Sequence, residues 1–417
     1  MRRPGQPHPG VPCDASAWPA ADPVFVCDGG GMGSVIVPLP VDDLAVLRQR
    51  RSAKWRTYPK DVLPLTIAEM DFPIAEPVAE ALRAAVSRSD TGYAMPGPEL
   101  GDAVAKFATA RWGWPVEPGS VTAVPDVSVG SVELLRVCCP PGEAVVINPP
   151  VYPPFFDWVA EAGAWLAEVP LRQDGSGMWR LDLEGLADAF RARPAAYVLC
   201  SPHNPVGRVH DRGELEAVVR LAHEYGVRVI SNEIHAPLVL PGAAFTPFLT
   251  VPGAAEIAVS LVSASKGWNL AGLKCGAIVT GSPAMRAVTG RLPPEMRWRI
   301  GHFGVLATIA AFTAGQPWLD ALLATLEMRR RQLGDLIAAQ LPDVCWQPPQ
   351  ATFLAWLDCR RVGDGEQPRD VFLKRGRVAL EPGPSFGAPG GGFVRLNFGT
   401  SEAVLAEAVE RMASALS

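Results

Sequence analysis

Five short apolar runs constrain the fold of this chain more than any other feature: AVVINPP, AAYVLCSP, VRVISNEI, AVSLVSAS and GAIVTG. Each is rich in β-branched residues and ends in Pro, Asn, Ser or Gly. Their apolarity is continuous rather than alternating, which marks strands covered on both faces. Helix-like stretches such as DRGELEAVVRLAHEYGV stand between them, opened near Asp211 and closed at Gly226. A strand-helix-strand series of this kind predicts an α/β fold around a mainly parallel, doubly wound sheet. Ligands bind such sheets just beyond the strand C-termini, where the polar residues of these runs gather.

The chain of 417 residues, 48% hydrophobic, is long enough for two domains. Residues 1–38 are rich in Pro, Gly and Ala and lack periodicity. They read as a disordered N-terminal extension, or as the product of a start codon placed upstream of Met32. Residues 39–85 are expected to form a segment packed with the smaller domain, and 86–300 the large domain. From about residue 300 a long helical stretch gives way to ATFLAWLDCR, GRVALEPGPSFG and GFVRLNFG, so 301–417 reads as a smaller α+β domain.

A net charge of −5 offers no footprint for nucleic acid, and no basic run suits an anionic membrane surface. No apolar stretch reaches membrane-spanning length, and the N-terminus lacks a secretory pattern, so the cytoplasm is expected. Eight cysteines show neither CxxC pairs nor zinc-type spacing, so no metal is expected. Several fall inside apolar runs and read as free buried thiols.

Only six lysines occur, yet Lys266 and Lys274 sit eight apart in SASKGWNLAGLKCG. Desolvation at a strand end disfavours a charged amine, which makes it nucleophilic towards carbonyls. On composition alone Lys266 could equally be a surface lysine in a loop. Its company decides: KWRTYP, LPLTIAEMDFP, TGY, PPVYPPF, SPHNPVGR, SNEIHAPLVL, SASKGWNLAGLK, ATFLAWLD and FVRLNFGTS occur in that order from about Leu47 to the end. Together these resemble the fold type I enzymes dependent on pyridoxal 5'-phosphate (PLP), and within them the MalY/PatB-type cystathionine β-lyases grouped with the class I/II aminotransferases.

The resemblance implies a large domain with a seven-stranded, mainly parallel sheet and a smaller C-terminal domain. It implies that Lys266 carries PLP as a Schiff base and later moves the α-proton. Ser263, Ser265 and Lys274 match positions around the cofactor phosphate, as does the turn of Asp126, Val127 and Ser128, where a helix start would present backbone N–H groups. An acidic side chain there is unexpected, so any contact from Asp126 is expected through its backbone. Lys274 replaces a frequent arginine and keeps the charge without the bidentate fork.

Tyr152 matches the ring that stacks on the pyridine face, although alone it would read as a core tyrosine. Asn204 matches the amide that bonds the phenolic oxygen, and His235 lies near that oxygen, unless it is a structural histidine. Tyr93 resembles the tyrosine that reaches the phosphate of a neighbouring subunit, implying a homodimer. Arg395 matches the clamp for the substrate carboxylate.

Asn232 departs from the resemblance, which leads to an aspartate beside the pyridine nitrogen. An amide offers that nitrogen a hydrogen bond but no full charge. A less delocalised Cα carbanion suits β-elimination, which discharges electrons into a leaving group, better than transamination. The resemblance therefore implies a C–S β-lyase acting on an L-cysteine S-conjugate to give thiol, pyruvate and ammonia. Alternatives are an aminotransferase, a decarboxylating or oxidative PLP enzyme of specialised metabolism, and a non-catalytic regulator on the same fold.

Overall fold

The computed structural model describes residues 37–362 and 365–417, so residues 1–36 of the expected N-terminal extension lie outside the described residues. Seven strands form the central sheet: β1 (Val121–Val124), β2 (Ala144–Ile147), β3 (Trp165–Glu168), β4 (Ala196–Cys200), β5 (Arg228–Asn232), β6 (Ala258–Val262) and β7 (Gly276–Thr280). Their spatial order is β1-β7-β6-β5-β4-β2-β3. The neighbours from β6 across to β3 are parallel, while β7 is antiparallel to both β1 and β6.

The sheet is thus mainly parallel, as the apolar runs predict, with β7 the departure. A parallel neighbour needs a crossover of roughly a dozen residues or more, usually a helix. The β6–β7 connection contains only one turn of 3-10 helix, Ala271–Leu273, and returns the chain antiparallel. It carries both lysines of interest.

Alternate residues of the same strands feed two cores. Val146, Tyr197, Leu199, Val229 and Val262 face one, and Val145, Ile147, Val198, Ile230 and Leu261 face the other. Burial on both faces is the physical reason that these runs are continuously apolar. Helices α1 (Val127–Cys138), α2 (Pro154–Glu161), α3 (Leu183–Arg191) and α4 (Arg212–Tyr225) supply crossovers. Asp126 caps α1 through its side chain, and Asp211 and Glu214 form a reciprocal capping box on α4.

The stretch from residue 300 forms α5 (His302–Ala314) and α6 (Gln316–Gln340). Helix α5 packs against the helices Glu76–Ser87 and Pro98–Trp112. A four-stranded antiparallel sheet follows, built from β8 (Cys345–Trp346), β9 (Leu354–Asp358), β10 (Glu381–Pro382) and β11 (Phe393–Asn397) in the order β8-β9-β11-β10. Helix α7 (Glu402–Leu416), capped by Ser401, packs on α6. Upstream, Leu63–Pro64 pairs in parallel with Val378–Ala379, and Asn397 N–H donates to the Leu65 carbonyl at 2.9 Å. These bonds draw residues 63–71 along the small sheet and over the exit of the large one.

Cys138, Cys139, Cys200, Cys275 and Cys359 are free and buried, as expected for thiols in apolar runs. Cys345 differs, being disulfide-bonded. Among the described residues no helix is long and apolar enough to cross a membrane.

Candidate active site

Lys266 lies in the β6–β7 loop, just past the C-terminal end of β6. Its amine donates to the carbonyl of Ala68 at 2.8 Å. Burial above all, then the positive charge of Arg395, pulls its pKa down to about 8. An amine at that value gives up its proton readily near neutral pH and becomes a nucleophile and a base.

Arg395 comes from β11 of the small sheet and is buried. One terminal nitrogen donates to Asn204 Oδ1 at 3.1 Å and the other to the Thr66 carbonyl at 2.9 Å, while Nε has no partner. The guanidinium lies 5.0 Å from the centre of the Phe386 ring. Five donors on one rigid fork leave Nε–H and a second hydrogen on each terminal nitrogen for a ligand. A planar carboxylate fits such an edge.

Asn204 is held by a stiff turn after β4. His203 N–H donates to the Arg208 carbonyl, and Gly207 N–H to the His203 carbonyl. Gly207 has φ +65°, and a side chain there would run into Pro349. The Gly207 carbonyl in turn accepts from Gln350 and Ala351, which pins the turn to the segment leading into β9.

His235 is buried below the same space, its Nδ1 without a partner. Burial, then the charges of Lys266 and Arg395, lowers its pKa to about 3, so the imidazole is neutral. Tyr152 feels Arg395, Asp126 and Lys274 at its hydroxyl, although burial dominates and raises its pKa. Lys266 and Arg395 both reach carbonyls of residues 66–68, and their charges act on His235 and, with those of Asp126 and Lys274, on Tyr152, so these side chains are electrostatic neighbours.

Asn232 ends β5, adjacent to β6, and is buried. Its Oδ1 accepts the Ile234 backbone N–H at 3.3 Å. A backbone donor can only meet the oxygen of the amide, so the bond fixes which end is engaged and leaves the NH₂ group as the free end.

At the other end of the space stands the N-terminus of α1. The backbone N–H groups of Val127 and Ser128 have no acceptor within the helix, as at every helix start. The Asp126 side chain is engaged within the protein. Its Oδ1 accepts the Val129 N–H at 2.8 Å, and its Oδ2 pairs with Lys274 Nζ at 3.0 Å. Extended backbone at residue 126 places the carboxylate over the positive end of the helix, where such a cap is stabilised. Lys274 has φ +63°, and its carbonyl accepts the Gly301 N–H. Helix α5 can come this close because a side chain at Gly304 would strike the Leu273 carbonyl.

Ser263 donates its hydroxyl to the Cys275 carbonyl at 2.8 Å and accepts the Ser265 N–H at 3.0 Å. It ties the exit of β6 to the start of β7, so its proton is engaged. The hydroxyls of Ser265 and Ser128 are half-buried and face no such tie. Tyr93 is 81% exposed, edge-on to Trp298 at 5.9 Å, and outside the space shared by the other residues.

Sequence reasoning missed the residues that hold the strap of residues 66–71. Asn269 clasps Met70 with both ends of its amide, at 2.9 Å each, and Asn397 Nδ2 donates to the Ile67 and Glu69 carbonyls. Lys54 pairs with Asp71 at 2.8 Å, and Trp55 Nε1 also donates to Asp71. The motifs KWRTYP and LPLTIAEMDFP contain these partners, but pairing between two motifs is a tertiary fact. Asn269 has φ +60°, which asparagine tolerates better than most residues, so an asparagine between Trp268 and Leu270 was the available signal.

Residues 60–412 match the family model of the class I and II aminotransferases. The chain belongs to that family. It is 48% identical to a putative cystathionine β-lyase of Mycobacterium leprae, over 90% of this chain and 98% of that protein. It is 36% identical to the cystathionine β-lyase PatB of Bacillus subtilis, over 86% of this chain and 93% of the other. The crystal structure of a putative PLP-dependent β-cystathionase from Corynebacterium diphtheriae superposes with a TM-score of 0.86 at 33% identity, covering 91% of this chain and 99% of that one.

Pyridoxal phosphate is the cofactor of this family, and the residues present fit it. An amine of lowered pKa, an unpaired His235 Nδ1, an unpaired Arg395 Nε, the free amide end of Asn232 and the open N–H groups of α1 are the donors and bases that such a cofactor would engage. Groups that are buried and unsatisfied within the protein call for a polar ligand. Lys266 could bind the aldehyde, the α1 start with Ser128, Ser265 and Lys274 the phosphate, Tyr152 the ring face, and Asn204 the phenolic oxygen.

Proposed function

We propose that this chain is a PLP-dependent C–S β-lyase that cleaves an L-cysteine S-conjugate into a thiol, pyruvate and ammonia. The observation that carries the reading is the pairing of one amine of lowered pKa with one buried, partly unsatisfied guanidinium across the same space. β-Elimination needs a single base at Cα and a fixed carboxylate. The names of the relatives point to the same chemistry.

Bound PLP supplies an electron sink that makes the substrate Cα–H acidic. Arg395 takes the substrate carboxylate through two parallel hydrogen bonds and, being tied to Asn204 and Thr66, fixes the Cα–H relative to Lys266. The Lys266 amine then removes the Cα proton as a general base. The Cβ–S bond breaks, its electron pair leaves on sulfur, and the remaining three-carbon fragment is hydrolysed to pyruvate and ammonia. Asn232 supports elimination over amino transfer: its free NH₂ group is a neutral donor, so no carboxylate stands there to hold a ring nitrogen in its charged form. Residues 86–300 and 301–417 act as the large and small domains on the two sides of this space.

The active unit is a homodimer in this reading. The exposure of Tyr93 suits a side chain that serves the phosphate end of a second copy. Five buried thiols remain free, which suits the cytoplasm, while the disulfide at Cys345 points the other way. Incubation of the purified protein with cystathionine and a panel of cysteine S-conjugates tests the activity. Equimolar thiol and pyruvate without added keto acid is the expected result. Amino transfer that requires a keto acid, with no pyruvate formed, overturns it.

A further inference from the structure

We infer that Asp126 weakens the hold of this chain on the cofactor's phosphate, leaving the bond to Lys266 as the main anchor. The inference rests on the proposed use of PLP and concerns which part of the site retains it.

Among the described residues the proposed phosphate end draws on the side-chain cation Lys274, and that cation is already paired with Asp126 at 3.0 Å. Their formal charges cancel, whereas a phosphate monoester brings close to two negative charges at neutral pH. The carboxylate and the backbone that carries the amine are both held in place. Asp126 is fixed by its cap on Val129, and Lys274 by a left-handed backbone whose carbonyl is bonded to Gly301. A phosphate drawn to the N–H groups of Val127 and Ser128 therefore sits next to the Asp126 carboxylate and shares Lys274 with it. Like charges so placed repel. The pair is partly exposed, at 58% for the Lys274 side chain and 28% for Asp126, so solvent moderates the repulsion without removing it.

The arrangement has a functional consequence. Amino transfer alternates PLP with its amine form, pyridoxamine phosphate, which has no covalent tie and is retained by its phosphate and ring alone. Elimination returns the cofactor to Lys266 in every turnover and tolerates a weak phosphate end. Asp126 thus biases the chain against amino transfer through retention of the cofactor rather than through the chemistry at Cα.

The test uses the full chain carrying Lys266→Ala, which removes the covalent anchor, with and without Asp126→Asn. Asparagine keeps the helix cap and deletes the charge. Equilibrium dialysis against pyridoxamine phosphate is expected to show binding about tenfold tighter in the Asp126→Asn protein, the scale of one like-charge contact near a surface. Asp126→Ser, a second capping residue, is expected to behave alike. Dephosphorylated pyridoxamine is the control, and its affinity is expected to be the same in all three proteins. Unchanged or weaker binding of pyridoxamine phosphate in both variants overturns the inference, as does an equal gain for pyridoxamine. Failure of the unmutated chain to form a borohydride-stable PLP adduct at Lys266 instead sinks the proposed function, so the two failures are distinguishable.

Discussion

Two lysines, one buried and one half-buried, hang from the same strap, residues 66–71, and their fates differ. Lys54 is fully buried and meets Asp71 at 2.8 Å and the Glu69 carbonyl at 3.1 Å. Lys266 reaches the neighbouring Ala68 carbonyl at 2.8 Å, and after burial the charge of Arg395 acts on it most strongly, ahead of Glu69. Lys54 is tied to a carboxylate and holds structure. Lys266 makes no ion pair among the described residues, and burial above all, then the charge of Arg395, lowers its pKa to about 8 and makes its amine available for chemistry. Burial and the choice of partner together separate a scaffold lysine from a candidate catalyst.

The largest effect is expected where the reactive lysine is removed. Lys266→Ala should lower turnover by about a thousandfold or more, the upper range for a lost general base, and abolish the borohydride-trapped adduct. A variant with a normal rate and adduct would show that another amine does this work. Lys54→Met should leave the trapped adduct in place while destabilising the fold by roughly 3–5 kcal/mol, because Asp71 becomes an unpaired buried charge. Urea unfolding of that variant, with Asp71→Asn added to recover part of the loss, checks the assignment. Equal loss in the single and double variants would contradict it.

Placing a carboxylate beside the cofactor extends the comparison. Asn232→Asp is expected to raise α-proton exchange with solvent by roughly tenfold, because a charge partner favours a protonated ring nitrogen. Exchange at the parent rate, followed by NMR in deuterium oxide, would defeat that account. The smallest effect concerns pH. The attacking species is the neutral amine, so the rate of PLP uptake by the cofactor-free chain should rise with pH and level off above about 8. Arg395→Ala removes the cation that helps to lower this value, so the plateau should move to higher pH. A plateau that stays in place would mean that burial alone sets it.

Much of the candidate site could be placed from sequence because it follows strand ends. Asn232 and Lys266 stand at or just beyond the C-terminal ends of β5 and β6, and Asn204 follows β4, where continuous apolar runs give way to polar residues. The side-chain partners of Asp126 were not legible. A sequence shows that an acid precedes a helix, but not that a loop 148 residues later brings Lys274 within 3.0 Å of it. The role of Ser263 was hidden in the same way, since its hydroxyl bonds a carbonyl on the following strand. The strap of residues 66–71 has no periodic signal because asparagine amides and one ion pair hold it, and neither has a preferred spacing.

By itself, the sequence determined the sheet and its mostly parallel sense, and it singled out Lys266 as the candidate lysine. Apolar periodicity and turn residues are local properties, and the ordered motifs lie at the ends of the elements they define. Only the tertiary structure decided that β7 turns back antiparallel, that Asp126 occupies Lys274, and that Lys54 is paired while Lys266 is not. Those outcomes depend on which charges meet across long sequence separations, and the free energy of a buried charge is set by its neighbours in space rather than by its neighbours in the chain.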